Sequence, residues 1–462
     1  MSEAEVYVIA GVEPEVGAYA MARYSRSALS MRESLREIDQ QKAEQFLNTF
    51  YFQYGHRSIA DLAHLSLALE RLSILAAIEV ADETRWDGQE RSTRYQRFAA
   101  GSFVTPPELA GSLEYPDIVA ALFAAYCELS TRIESFLGER HPRPEARTPE
   151  AYRRALRARA FDVSRYLLPL GTATSLGQIV SARTLEQQIV RLLSSPWAEC
   201  HHLGAALKQA AGAPGATPTL VKYTQPSAYQ LTSRREMEDA AAALMSAVAP
   251  DSAPGVHLAP PVPLEVELAA SLLYPHCRHS YAQLLAAMGA LPAARRDEII
   301  ALGRAHRGDH DELARPFQAG QAFAFDILMD IGGFRDLHRH RRVVQLHQGY
   351  GSDHGFETPE AVAASGAESE YATAMRVAGT WAARSGAAGA YALPLGYRKR
   401  SLFKMDLAEV AYIAELRTGP GGHICYRRAA WAMYQALAAR HPSLARGLRV
   451  TDPALPSNPL DR

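Results

Sequence analysis

The feature that most constrains this chain is a repeat of its own sequence. Residues 323–350, FAFDILMDIGGFRDLHRHRRVVQLHQGY, align with residues 65–92, LSLALERLSILAAIEVADETRWDGQERS. Phe323, Phe325 and Ile327 fall on Leu65, Leu67 and Leu69, an offset of 258 residues (323 less 65), and after a slip of one place Arg339 falls on Asp82, an offset of 257 residues (339 less 82). A second landmark follows in both halves. RYLLPLGTATSL (165–176) and AYALPLGYRKRSL (390–402) share LPLG, with Pro394 on Pro169, an offset of 225 residues (394 less 169). Two landmarks in one order predict two copies of a single folding unit. The expected fold is α/β, two fused copies of a small-sheet-plus-helices domain forming a pseudo-dimer. The first copy is 1–212 and the second 213–462, divided at the Gly/Pro/Ala-rich break AGAPGATPT.

Composition narrows the function classes. The 462 residues are 48% hydrophobic and 21% charged, with a net charge of -1, which suits a soluble protein of two or three domains. Nothing in that balance asks for a nucleic-acid or membrane partner, and no uncharged apolar run approaches the roughly 20 residues of a bilayer span. The start, MSEAEVYVIAGVEPEVG, lacks the layout of a signal peptide. Cys127, Cys200, Cys277 and Cys425 are widely spaced, so neither a disulfide framework nor a structural zinc is expected. These points lead to a cytoplasmic expectation. HRGDHDE and PHCRHS hold metal-ligand residue types without a closed zinc spacing, and no metal is predicted. No GxGxxG follows a strand, which leaves a Rossmann site without support.

Pattern reading makes Ser30–Phe98 mostly helical, with LSLALE as a candidate strand and Ser58 with Asp61 as a weak capping box. Two helices are expected over 115–160 and one over 184–210. Further helices and short strands are expected at 265–289, 291–306, 321–346, 357–384 and 404–440.

Two polar clusters carry the chemistry. In ERSTRY, Glu90, Ser92 and Arg94 alternate, so an extended backbone aims all three to one side, with Thr93 offering backbone amides. The bland alternative is a helix cap in a charged loop. In HRHRR, Arg339 and Arg341 flank His340, and their planar forks suit phosphate or carbonyl oxygens. The bland alternative there is a solvated basic run on a helix.

Together these residues resemble the flavin-dependent thymidylate synthases, whose motif RHRxxSxNExSxRY is followed by ARxVLP, NLRxxxHFxxLR and EIR. The set occurs twice here, each time incompletely. The first copy has GHRSIAD, ERSTRY, Arg165 in SRYLLP and Arg183 after Ser181, but Asp82-Glu83-Thr84 in place of RHR. The second keeps Arg339-His340-Arg341, Arg417 and Arg427. It has Gly349, Gly351 and Ser352 for the Ser and the Arg-Tyr pair, and Ala390 for the ARxVLP arginine.

The resemblance implies C5-methylation of a uracil nucleotide with FAD as cofactor, and with NADPH and methylenetetrahydrofolate as co-substrates. It implies Arg339 and Arg417 as catalytic residues, and Ser58, Asp61, Arg183, Gln187, Arg339, His340 and Arg341 as flavin contacts. Glu90, Ser92, Thr93, Arg94, Arg165, Asp336 and Arg417 are implied for the substrate. Complementary losses suggest one composite site per chain and a homodimer standing in for the family's tetramer. Asp336 replaces the family glutamine and Gln89 an asparagine. Two alternatives therefore stand: a flavoenzyme shifted to another pyrimidine nucleotide, and a non-catalytic flavin- or nucleotide-binding protein.

Overall fold

A computed structural model describes residues 6–24, 27–38, 40–48, 57–308, 311–455 and 460. They fall into two compact units. The first comprises Met1–Glu70, Glu79–Glu90 and Ser175–Ser227; the second comprises Arg71–Ile78, Arg91–Thr174 and Ala228–Arg462. These units group residues by proximity, whereas the break at 212/213 concerns repetition.

In the first unit, helices Pro14–Arg23, Met31–Glu37 and Gln40–Leu47 precede a three-stranded sheet. Its strands are β1 (His64–Ser73), β2 (Asp87–Glu90) and β3 (Ala173–Ser181), in the order β1-β3-β2. The mostly helical expectation for 30–98 is corrected here. LSLALE lies within β1, and only Ile74–Ala81 continues as helix. Sheet pairing overrides a helical composition that runs unbroken across the junction. Ser58 sits inside the 3-10 turn Arg57–Asp61 rather than capping a helix. The helix expected over 184–210 is two, Ala182–Leu193 and Ala198–Ala211, parted around Pro196.

The second unit holds a four-stranded antiparallel sheet, ordered β4 (Gly255–Leu258), β5 (Phe323–Asp330), β7 (Arg398–Met405) and β6 (Val344–His347). The β5–β7 register sets Phe325 opposite Phe403, both buried. Asp326, in the middle of β5, is 3% exposed and accepts from Arg400 at 2.8 Å and Tyr274 at 2.7 Å. A buried carboxylate persists only when paired in this way. Residues 265–289, within the stretch expected to run as helices and short strands, hold two helices, Leu264–Leu273 and Tyr281–Ala290.

The repeat reappears in the hydrogen bonds. Pro169 lies opposite Pro394. Leu170 N–H donates to Leu393 C=O at 2.8 Å and Leu395 N–H to Leu168 C=O at 2.9 Å. Gly171 donates to Tyr391 at 2.6 Å and Gly396 to Tyr166 at 2.9 Å. Each bond becomes its partner when 225 is added to one residue and taken from the other. The 257 offset recurs as well. Ile74 and Leu75 donate to Thr172 and Leu170, while Ile331 and Gly332 donate to Tyr397 and Leu395. Both copies need the LPLG glycine: a Cβ would lie 2.9 Å from Tyr391 O at Gly171, and 2.8 Å from the Tyr166 ring at Gly396. Sheet order repeats too, with β5-β7-β6 following β1-β3-β2.

Candidate functional site

The second unit gathers arginines from both sequence copies. Arg94 follows β2 in a turn and extends its guanidinium to Asp162, the third residue before Arg165 near the end of helix Pro149–Ser164. Its Nε donates to Asp162 Oδ1 at 2.8 Å and its Nη1 to the Tyr426 hydroxyl at 3.2 Å. Asp162 is 3% exposed and also accepts from Arg159 at 3.2 Å. Arg165, 2% exposed, approaches Asp336 at 3.5 Å, and its Nε has no hydrogen-bond partner. Burial alone would push the Asp336 carboxyl up, but Arg165, Arg94 and Arg339 hold it below the usual carboxylate range. Asp336 thus ties Arg94 and Arg165, of the first copy, electrostatically to Arg339 of the second.

The basic triplet lies in the turn between helix Ile331–Leu337 and β6, not on a helix. Arg339 is exposed and has no hydrogen bond or ion pair among the described residues. Arg341 donates to His338 O at 3.1 Å. His340 is buried, and its Nε2 must accept because Arg417 Nε donates to it at 2.9 Å. Its proton therefore sits on Nδ1 and is given to Glu409 at 3.1 Å. Burial, then Arg417 and Arg341, lowers the His340 pKa to about 3, so the ring is neutral. Burial raises the Glu409 pKa. The His340–Glu409 contact is accordingly a hydrogen bond donated by a neutral imidazole rather than an ion pair.

His423 repeats this logic. Its Nδ1 accepts from Cys425 N–H at 3.3 Å, capping helix Ile424–Arg440, and its Nε2 donates to Asp162 O at 3.1 Å. Burial, then Arg165, takes its pKa to about 3. Nearby, Asp330 caps helix Ile331–Leu337 through Gly333 N–H at 2.6 Å and accepts from Cys425 Sγ. Cys425 is pushed well up by burial and Asp330, which makes it a poor nucleophile.

Comparison with known proteins fits this arrangement. The family model of the thymidylate synthase complementing proteins matches residues 8–207 and 297–443. The chain belongs to that family, the flavin-dependent thymidylate synthases. The match comes in two segments, as expected of a divergent, tandem-duplicated member. Similar proteins include a UPF0159 protein of Chlamydia muridarum, 28% identical over 95% of this chain and 90% of the relative. A UPF0159 protein of Chlamydia pneumoniae is 26% identical with the same coverage. UPF0159 protein Ta1429 of Thermoplasma acidophilum is 26% identical over 94% of each chain.

Of the substrate residues implied by the family motifs, Ser92, Thr93, Arg94, Arg165, Asp336 and Arg417 all lie in the second unit, whereas Glu90 ends β2 in the first. The extended reading of ERSTRY is corrected. The strand stops at Glu90, Thr93–Tyr95 form a turn, and the Ser92 hydroxyl accepts from Arg94 N–H at 3.2 Å. Ser92 thus shapes the turn that presents Arg94. Of the flavin residues, Ser58, Asp61, Arg183 and Gln187 share the first unit. There Asp61 accepts from Arg183 at 3.2 Å and from Arg85 at 3.1 Å, and Gln187 lies one helical turn beyond Arg183. Gly55 and His56 of GHRSIAD lie outside the described residues. Ser181 and Asp406, which occupy the family's asparagine position, are both helix N-caps, accepting from Thr184 at 3.2 Å and Glu409 at 2.9 Å. Asn, Ser and Asp exchange freely in that role, so these departures are structurally mild. Arg427 is buried and gives its Nε to Thr418 O at 3.0 Å. A surface cavity of about 440 Å³ beside Arg23, Arg36 and Lys42 contains none of these residues.

Sequence reasoning missed Asp162 and Tyr426. Asp162 had a signal, an acid one helical turn before Arg165 in FDVSRY. Tyr426 had none.

Proposed function

We propose that the chain methylates C5 of a uracil nucleotide, dUMP to dTMP in type, using FAD, NADPH and methylenetetrahydrofolate at one composite site per chain. The observation that carries this is the meeting of Arg94 and Arg165, from the first copy, with Asp336 and Tyr426 from the second, at 3.2–3.5 Å. We propose further that 1–212 and 213–462 are fused copies packed as a pseudo-dimer. The reciprocal bonds about Pro169 and Pro394 support this. Two chains then make the homodimer equivalent to a tetramer of single copies, and a cytoplasmic location fits. No helix among the described residues is long and apolar enough to cross a membrane.

In this reading Arg94 and Arg165 bind phosphate and pyrimidine oxygens, with the unpartnered Arg165 Nε as an available donor. Ser92 and Thr93 shape the turn that carries Arg94, and Glu90 borders it in sequence. The neutral His340 orients Arg417 without taking its charge, leaving the rest of that guanidinium for substrate. The exposed, unpartnered Arg339 fits a flavin, whose reduced ring needs a cation near N1 and the C2 carbonyl. Arg341 and His340 would flank it, whereas Ser58, Asp61, Arg183 and Gln187, all within the first unit, are proposed as flavin contacts from the family motifs alone. The bound flavin would supply the hydride that completes the methyl group. The chain itself positions partners and stabilises charge.

Asp336 favours a second reading, action on a different pyrimidine nucleotide. A carboxylate only accepts hydrogen bonds, whereas the family glutamine also donates. The test is reconstitution with FAD and assay of dUMP conversion in the presence of NADPH and methylenetetrahydrofolate. Formation of dTMP supports the first reading. Turnover of another pyrimidine nucleotide alone supports the second. Flavin binding without any turnover indicates a binding protein, and colourless protein after reconstitution sinks both flavoenzyme readings and leaves nucleotide binding alone.

A further inference from the structure

Tyr426 belongs to no motif, yet it sits between the two arginines that the sequence copies contribute. The Arg94 guanidinium carbon lies 5.8 Å from its ring centroid and that of Arg417 lies 5.5 Å away. Its hydroxyl accepts from Arg94 Nη1 at 3.2 Å. A phenol also carries a proton to donate. Among the described residues that proton has no acceptor, although Tyr426 is only 5% exposed. The hydroxyl's contact with Arg94 is only part-buried, so its proton is free for an acceptor that arrives from solvent. The Arg165 Nε, in the same group of side chains, is buried and likewise without a partner. A phenol proton and an unpartnered guanidinium N–H, with Arg94 and Arg417 against the ring, suit a ligand rich in acceptor oxygens.

The backbone is fitted to hold the ring there. A Cβ on Gly422 would lie 2.6 Å from the Tyr426 ring and 2.9 Å from its hydroxyl oxygen. The glycine therefore clears the space the ring occupies, a requirement that the His423 cap alone does not impose.

We propose that Tyr426 is a substrate-contacting residue, its hydroxyl accepting from Arg94 while donating to an oxygen of the nucleotide held by Arg94 and Arg417. The inference rests on the nucleotide-binding reading above and adds a neutral donor outside the family motifs. The acceptor is either a phosphate oxygen or a pyrimidine carbonyl, which share the chemistry a phenol recognises. A purely positioning role, in which the hydroxyl only steers Arg94, is the competing explanation.

The test is calorimetric titration of the FAD-reconstituted protein with dUMP, deoxyuridine and inorganic phosphate. Tyr426→Phe is expected to lose roughly tenfold in dUMP affinity with an unchanged melting temperature, the worth of one hydrogen bond to a charged or strongly polar group. Gly422→Ala, which displaces the hydroxyl without removing it, should reproduce the loss. The ligand fragment that shows the same loss identifies the acceptor. The double variant Arg94→Ala/Tyr426→Phe separates the two roles. A further drop beyond Arg94→Ala supports contact with the ligand, and no further drop overturns it. Normal dUMP affinity in Tyr426→Phe overturns the inference while leaving the nucleotide-binding reading intact. A wild-type protein that binds neither dUMP nor phosphate removes both.

Discussion

The segments around residues 83 and 340 are the same place in two copies, and they have opposite chemistry. In the first copy Glu83 binds Arg191 through Nε at 2.9 Å and Nη2 at 2.8 Å, while Arg191 also reaches Glu79 O at 2.6 Å. In the second, His340, which lies 257 residues beyond Glu83, accepts from Arg417 at 2.9 Å, and no other hydrogen bond or ion pair of Arg417 is present among the described residues. A carboxylate closes its arginine into an ion pair. A neutral imidazole aims its arginine and leaves the charge unspent. The losses run the other way for two arginines of the first copy: Arg165, beside LPLG, is matched by Ala390, and Arg94, at the 257-residue offset, by Gly351. Beside Gly351, Arg278 donates to Gly349 O and, at 3.0 Å, to Tyr350 O. One copy has kept the basic turn and the other the basic helix end.

The largest effect should come from Arg165. Arg165→Ala removes a buried cation and leaves Asp336 without its nearest partner. Nucleotide affinity is expected to fall about a hundredfold or more, as for truncation of a buried, charge-paired contact. Affinity close to wild type in a dUMP titration would detach Arg165 from the site.

The arginines at the compared positions should then separate by readout. Arg191→Ala leaves Glu83 and Glu79 without their cation, and should cost about 2 kcal/mol in denaturant unfolding. Arg417→Ala leaves the buried His340 Nε2 without its donor but breaks no carboxylate pair, so it should cost about 1 kcal/mol and also weaken nucleotide or flavin binding, which Arg191→Ala should not. Equal stability losses in both would erase the distinction between a closed and an open arginine.

Acid should sharpen the contrast. His340 and His423 each have pKa values near 3 in the fold against an ordinary 6.5. The unfolded chain therefore takes up protons below about pH 6.5 that the fold refuses until about pH 3. Stability is complete above that window and falls through it as pH drops, by about 1.4 kcal/mol per pH unit for each histidine. His340→Gln should remove one proton's worth of this slope, measurable as the pH dependence of the denaturation midpoint. An unchanged slope would mean that His340 is not the neutral acceptor described. The smallest effect belongs to Asp82→Ala, which should leave flavin and nucleotide binding unaltered.

Much of this was legible in the sequence because duplication wrote it twice. The 225-residue offset read from LPLG is that of the reciprocal hydrogen bonds, and the 257-residue offset of Arg339 from Asp82 recurs in the bonds of Ile74 and Ile331, one place away from the alignment of LSLALE. What stayed hidden was whatever depends on distant chain. LSLALE alternates and reads as a candidate strand within a helical stretch, but only pairing with β3, about a hundred residues later, fixes β1 as running to Ser73 before the helix Ile74–Ala81. ERSTRY reads as a strand because alternation is visible in sequence and the Ser92 turn bond is not. Tyr426 meets Arg94 across 332 residues with no motif around it. Asp162 lay within reach of a closer reading, one turn before an arginine already singled out.

The central claim, that two incomplete copies make one site, is tested most directly by flavin stoichiometry. The FAD-saturated protein is freed of excess flavin, then denatured, and flavin absorbance is compared with protein concentration. The account predicts one FAD per chain. Two per chain, or a chain that retains none, would contradict it.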